Sequence, residues 1–197
     1  MNTILTEIVF LIDRSGSMAG LEKDTIGGFN ALIENQNRGN GETKVTAALF
    51  DDQYEVLWSG MDAGSVRLTE KEYWVRGTTA LLDAAGRTIV ETGARLAQTR
   101  EEDRPGKVIF VITTDGMENA SMEFSHNQVS EMIKHQREVY GWEFIFLGAN
   151  IDAAGEAEDI GIDPEHAYQF EASSEGVRKM YSMADTAINK SRRSSKL

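Results

Sequence analysis

The chain has 197 residues, 41% hydrophobic and 26% charged, with 18 Gly and 2 Pro, which fits one folded domain and excludes a disordered or fibrous chain. Its 20 Lys and Arg against 32 Asp and Glu leave a net charge of −12, which argues against nucleic acid or an anionic membrane as partner, since both are polyanions. There is no cysteine, so disulfides, thiolate metal sites and a cysteine nucleophile are excluded.

No basic residue precedes the first apolar run, Ile8 to Ile12, and that run ends in Asp13. A secretory signal needs about 7–15 apolar residues behind a positive segment, and a membrane helix about 20. The expectation is therefore a cytoplasmic protein, in which the sequons at Asn119 and Asn189 are incidental. Three further apolar runs follow: Val45 to Phe50, Val108 to Ile112 and Phe144 to Leu147. The first, third and fourth runs are continuous, as in strands buried on both faces of a parallel sheet.

Between the runs lie segments with helical spacing. Residues 20–37 carry Ile26, Phe29, Leu32 and Ile33; residues 79–98 carry Leu82, Ala85, Ile89 and Leu96. Residues 126–139 carry Val129, Met132, Ile133 and Val139, and residues 173–189 carry Val177, Met180, Tyr181, Ala184 and Ile188. Asp51-Asp52 separates the second run from Tyr54-Glu-Val-Leu-Trp58, which predicts a hairpin closed by a solvated turn. The order is strand, helix, hairpin, helix, strand, helix, strand, helix. It predicts an α/β fold: a doubly wound, Rossmann-like, mostly parallel sheet with one antiparallel edge strand and helices on both faces. Residues 1–189 form a single domain in this reading. Residues 190–197 hold four basic residues and no acid and are expected to be a frayed, disordered tail, which leaves −16 on the rest.

In such a sheet ligands bind beyond the carboxyl ends of the strands. The first run delivers Asp13-Arg14-Ser15-Gly16-Ser17-Met18 to that edge, and the third delivers Thr113-Thr114-Asp115-Gly116-Met117-Glu118-Asn119. Asp13, Ser15 and Ser17 alternate, so one carboxylate and two hydroxyls can turn toward one point, and Asp115 supplies a second carboxylate. An all-oxygen set with two negative charges suits a hard divalent cation such as Mg2+. The bland alternative is that Ser15 and Ser17 merely cap the following helix.

Asp13-x-Ser15-x-Ser17 after a hydrophobic strand resembles the metal-ion-dependent adhesion site of the von Willebrand factor type A domain. Gly77-Thr78-Thr79-Ala80-Leu81-Leu82-Asp83-Ala84 resembles that family's Gly-Gly-Thr-x-Leu-x-Asp-Ala segment, and Ile112-Thr-Thr-Asp115-Gly116 its strand-ending Asp-Gly. The motifs stand in the family's order, and the resemblance spans roughly residues 6 to 170. Thr78 replaces the family's second Gly; Thr78 and Thr79 are then neighbouring candidates, with Thr79 favoured by register.

The resemblance implies a cation held by Asp13, Ser15, Ser17, Thr79 and Asp115, with one position left for an Asp or Glu carboxylate of a protein partner. The cation implied is Mg2+, with Mn2+ or Ca2+ as alternatives. Arg14, Met18, Trp74, Arg76, Met117 and Glu118 are the expected rim. Asp83 is read as a charge at a helix start, Asn119 as a loop polar group, and His126, His135 and His166 as surface residues. The expected function is a non-enzymatic adaptor module. Two alternatives stand beside it: a metal-assisted hydrolase or phosphotransferase, and a scaffold with a structural metal. Against the hydrolase, Ser15 occupies the place where haloacid-dehalogenase-like phosphatases carry a second Asp. No Gly-x-x-x-x-Gly-Lys-Ser/Thr and no Gly-x-Ser-x-Gly occurs either.

Overall fold

A computed structural model describes residues 1–39 and 41–194. Among these residues six strands and five α-helices follow in the order β1 (Asn2–Asp13), α1 (Glu22–Arg38), β2 (Glu42–Phe50), β3 (Tyr54–Asp62), α2 (Leu81–Gln98), β4 (Pro105–Thr114), α3 (His126–Tyr140), β5 (Glu143–Ala149), α4 (Ala153–Asp159), β6 (Ala167–Phe170) and α5 (Ser174–Arg193). They form one sheet in the order β3-β2-β1-β4-β5-β6. β1 lies parallel to both β2 and β4, β4 to β5 and β5 to β6, while β2 and β3 are antiparallel. The fold class is the one the apolar runs predict.

The side-chain alternation of β1 shows why both faces must be covered. Ile8, Phe10 and Ile12 enter a core with Phe29 and Leu32 of α1 and Val177 and Met180 of α5. Val9 and Leu11 enter a second core with Leu82 and Ile89 of α2, Val129 and Ile133 of α3, and Ala153 of α4. Phe10 meets Phe29 edge-on at 5.1 Å between centroids, a geometry that adds to the area buried. Among the described residues no helix is long and apolar enough to cross a membrane.

Three features depart from the sequence reading. α4 and β6 were not foreseen, because α4 spans seven residues and β6 four, too short for periodicity to register. α5 runs to Arg193, so residues 190–193 belong to a helix and not to a frayed tail; residues 195–197 lie outside the described residues. The cause is tertiary: Lys107 on β4 points its ammonium at the carbonyls of Ser191 and Ser194 and pairs with Glu143 at 2.7 Å. That satisfies carbonyls a helix end leaves open. Finally, Asp51 is no solvated turn residue. It is fully buried and receives Arg14 and Arg76, while Asp52 alone stays exposed.

The chain leaves β1 through α1 on one face and reaches β4 through α2 on the other, so the strand order reverses between β1 and β4. Their adjacent carboxyl ends form the crevice where such sheets bind ligands.

Candidate functional site

Asp13 is the last residue of β1 and Asp115 follows the last residue of β4. The parallel register, with Ile12 opposite Thr113, brings the two carboxylates to one place. Asp13 is 1% exposed. Its Oδ1 accepts the Ser15 N–H at 2.7 Å and its Oδ2 accepts the Thr114 hydroxyl at 2.6 Å. The Tyr73 hydroxyl donates to the Asp13 carbonyl at 2.8 Å, so the end of β1 is held from three sides.

The loop after β1 then curls through a short 3-10 turn, Gly16–Met18. The Ser15 and Ser17 hydroxyl oxygens lie 3.1 Å apart, and the Ser17 hydroxyl donates to Asp115 Oδ1 at 2.5 Å. A second segment closes over this turn: Gly16 N–H donates to the Gly77 carbonyl and Arg76 N–H to the Arg14 carbonyl. Gly77 adopts φ +67°, where a Cβ would strike the Asp52 carboxylate. Glycine is therefore required there on two grounds, conformation and space. This turn aims Thr79 inward. A Cβ built on Gly116 would lie 2.9 Å from Thr79 Oγ1 and 3.6 Å from Ser17 Oγ, which places the Thr79 hydroxyl beside the Ser17 hydroxyl and the Asp115 segment. Thr79 is buried and Thr78 exposed, so Thr79 is the threonine that faces the cluster.

Burial pushes the Asp13 carboxyl up to about 6, against the lowering effect of its bonds from Ser15 and Thr114, and Asp115 adds repulsion. Burial also raises Asp115. Among the described residues no Lys or Arg pairs with either carboxylate. Nor do three His, Asp or Glu side chains converge anywhere among them. The cluster thus offers two partly desolvated carboxylates and three hydroxyls without a counter-charge. That donor set fits a hard divalent cation, whose charge would offset both desolvation costs.

The expected rim is only partly there. Arg14 is 0% exposed: alternation from Asp13 turns it away from the cluster, down to Asp51 at 3.3 Å and Glu55 at 2.7 Å. Met18 is buried as well. Glu118 is half-buried, its carboxylate engaged by the Leu82 amide at the start of α2 and by the amides of Ala120 and Ser121 in its own loop. Trp74, 46% exposed, and Met117, 63% exposed, do face solvent. Arg76 lies over the Trp74 ring at 4.6 Å and pairs with Asp51 at 2.5 Å.

Sequence reasoning missed Tyr73, Thr114 and the bridging role of Asn119. Thr114 stands one residue before Asp115 on a strand paired with β1, so its reach to Asp13 is implicit in the register. Tyr73 and Asn119 leave no such signal, because their partners lie 60 and 40 residues away.

The family model of the von Willebrand factor type A domain matches residues 7–182. Among solved structures, the vWF domain of the type V pili tip protein Mfa5 from Porphyromonas gingivalis has a TM-score of 0.69 at 10% identity, covering 100% of this chain and 99% of that one. The pilus adhesin SpaC from Lactobacillus rhamnosus GG gives 0.67 at 14% identity, covering 97% and 30%. Proximal thread matrix protein 1 from the mussel byssus, with a zinc-occupied MIDAS motif, gives 0.62 at 16% identity, covering 95% and 47%. The chain spans about half the length of the byssus protein chain. At these identities the likeness is one of fold. No curated protein matches this chain in sequence.

Proposed function

Since the chain belongs to the von Willebrand factor type A family, which often serves metal-dependent adhesion or protein binding, we propose that it is a non-enzymatic adaptor module whose bound cation accepts a carboxylate of a protein partner. The observation that carries this reading is the convergence of Asp13, Ser15, Ser17, Thr79 and Asp115 with no counter-cation among the described residues. These five residues would hold the cation, and the cation would supply the positive charge for an Asp or Glu side chain to dock on.

An oxygen-only set favours Mg2+ or Mn2+ over zinc, which prefers nitrogen and sulfur. Asp13 and Asp115 offset a 2+ charge without exceeding it, so a third carboxylate still gains by approaching. The exposed Trp74 and Met117 and the half-exposed Arg76 supply the surface a partner would touch around that point.

Calorimetry with Mg2+ and Mn2+ on the wild type, Asp13→Ala and Asp115→Ala tests the site. Binding to the wild type and loss in both variants is expected, with circular dichroism unchanged; equal affinity in all three overturns the assignment. Affinity capture with Mg2+ or EDTA, using wild type and Asp13→Ala as baits, then tests the adaptor role. A partner retained by metal-loaded wild type alone supports it. Turnover of a phosphate monoester that vanishes with Asp13→Ala would favour the hydrolase.

A further inference from the structure

α2 begins without a cap of its own. Its N-cap residue is Ala80, which has no side-chain acceptor, so the first N–H groups of the helix must find partners elsewhere. They find them in the loop after β4. Leu82 N–H donates to Glu118 Oε2 at 2.9 Å and Asp83 N–H to the Ser121 hydroxyl at 3.0 Å. The Ser121 hydroxyl in turn donates to Glu118 Oε2 at 2.7 Å, while Glu118 Oε1 takes the N–H groups of Ala120 and Ser121.

The traffic also runs the other way. The Asp83 carboxylate accepts the N–H groups of Met122, Glu123 and Phe124 at 2.8–2.9 Å. Burial works to raise the Asp83 carboxyl, yet these three donors hold it below its ordinary range. Asn119 and Thr79 pair twice, through Asn119 N–H to the Thr79 carbonyl and Thr79 N–H to Asn119 Oδ1, both at 3.0 Å. The Phe124 ring covers Gly86, where a Cβ would lie 2.6 Å from ring atoms. The loop thus caps the helix, and the helix stitches the loop.

Thr79 stands two residues before α2, and Asp115 three residues before Glu118. The two segments that carry these oxygens come from opposite ends of the α2–β4 unit, and nothing in the local sequence fixes their spacing. We propose that Glu118 and Asp83 are positioning residues: their reciprocal clasp holds Thr79 against Asp115 and so pre-forms the cation site. This rests on the metal reading above. Pre-formed donors bind a small cation better because less ordering remains to be done on binding, and residues behind the ligands typically control affinity by about 10–100-fold.

Binding of Mn2+ alone, followed by calorimetry, tests the clasp. Glu118→Ala is expected to weaken Mn2+ by about tenfold or more, and to lower the thermal midpoint in EDTA only as far as a lost helix cap does. Glu118→Gln, which keeps one acceptor oxygen, should recover part of the loss. Arg87→Ala removes the outer Arg87–Glu123 pair of the same loop and should leave affinity unchanged. Wild-type affinity in Glu118→Ala, or an equal loss in Arg87→Ala, overturns the proposal. If Glu118→Ala fails to fold, Ser121→Ala carries the same comparison. Should the wild type bind no Mn2+, the metal reading itself fails. Amide exchange in EDTA then decides the clasp: faster exchange of residues 79–84 and 116–124 in Glu118→Ala upholds it, and unchanged exchange overturns it.

Discussion

The Ser17 hydroxyl donates to Asp115 Oδ1 at 2.5 Å, across 98 residues of sequence. That single bond joins the loop leaving β1 to the end of β4 and defines the centre of the cluster. Ser17→Ala removes the donor and one of the oxygens proposed to hold the cation, while leaving both carboxylates. Calorimetry should show Mg2+ binding weakened by about tenfold or more, with far-UV circular dichroism unchanged; undiminished binding would place the cation elsewhere.

Gly116 is packed beneath two hydroxyls. Gly116→Ala would push a methyl to 2.9 Å from Thr79 Oγ1, inside normal contact distance, so the threonine must move. The expected outcome is a loss of metal affinity out of proportion to a stability change of about 1–3 kcal/mol. Chemical denaturation and metal titration on the same sample separate the two.

Asp13 contributes to the pH dependence. Its folded carboxyl sits at about 6 against an ordinary 3.8. A raised value means the folded state holds its proton longer: the stability it contributes is fully present below 3.8 and is lost as pH rises through about 6. The cost at neutral pH is about 3 kcal/mol for the metal-free protein. A cation held by Asp13 would reverse this cost, because it would bind the deprotonated form. Mg2+ should therefore raise the melting temperature more at pH 7.5 than at pH 5, and apparent affinity should fall as pH drops below about 6. A Mg2+ effect of equal size at both pH values would rule Asp13 out as a ligand.

Asp51 binds two guanidiniums from inside the fold, Arg14 at 3.3 Å and Arg76 at 2.5 Å. Asp51→Ala would leave the buried Arg14 with the half-exposed Glu55 as its carboxylate partner, beside the Trp74 ring. Loss of about 3–5 kcal/mol is expected in urea unfolding. Since Arg14 and Arg76 flank the loop over the cluster, metal affinity should fall with it. A near-neutral effect would show that water replaces the carboxylate.

The sequence by itself determined five of the six strands of the sheet and the location of the cluster. Continuous apolar runs require strands covered on both faces, and the first and third runs each lead into a carboxylate at the same edge, so Asp13 and Asp115 were legible as neighbours. The alternation of Asp13, Ser15 and Ser17 was legible for the same local reason. Tertiary structure decided the polar partnerships between distant segments. Arg14 looked like a rim residue and is buried on Asp51; Glu118 looked like a rim residue and caps α2; Asp51 looked like a solvated turn and holds two arginines. The last turn of α5 looked like a tail and is fastened by Lys107. Periodicity encodes which face of an element is apolar, because burial there is set residue by residue. A charged side chain has no such period: whether it meets water or a partner depends on which segments the fold brings together, and that becomes defined when the sheet closes around β1 and β4.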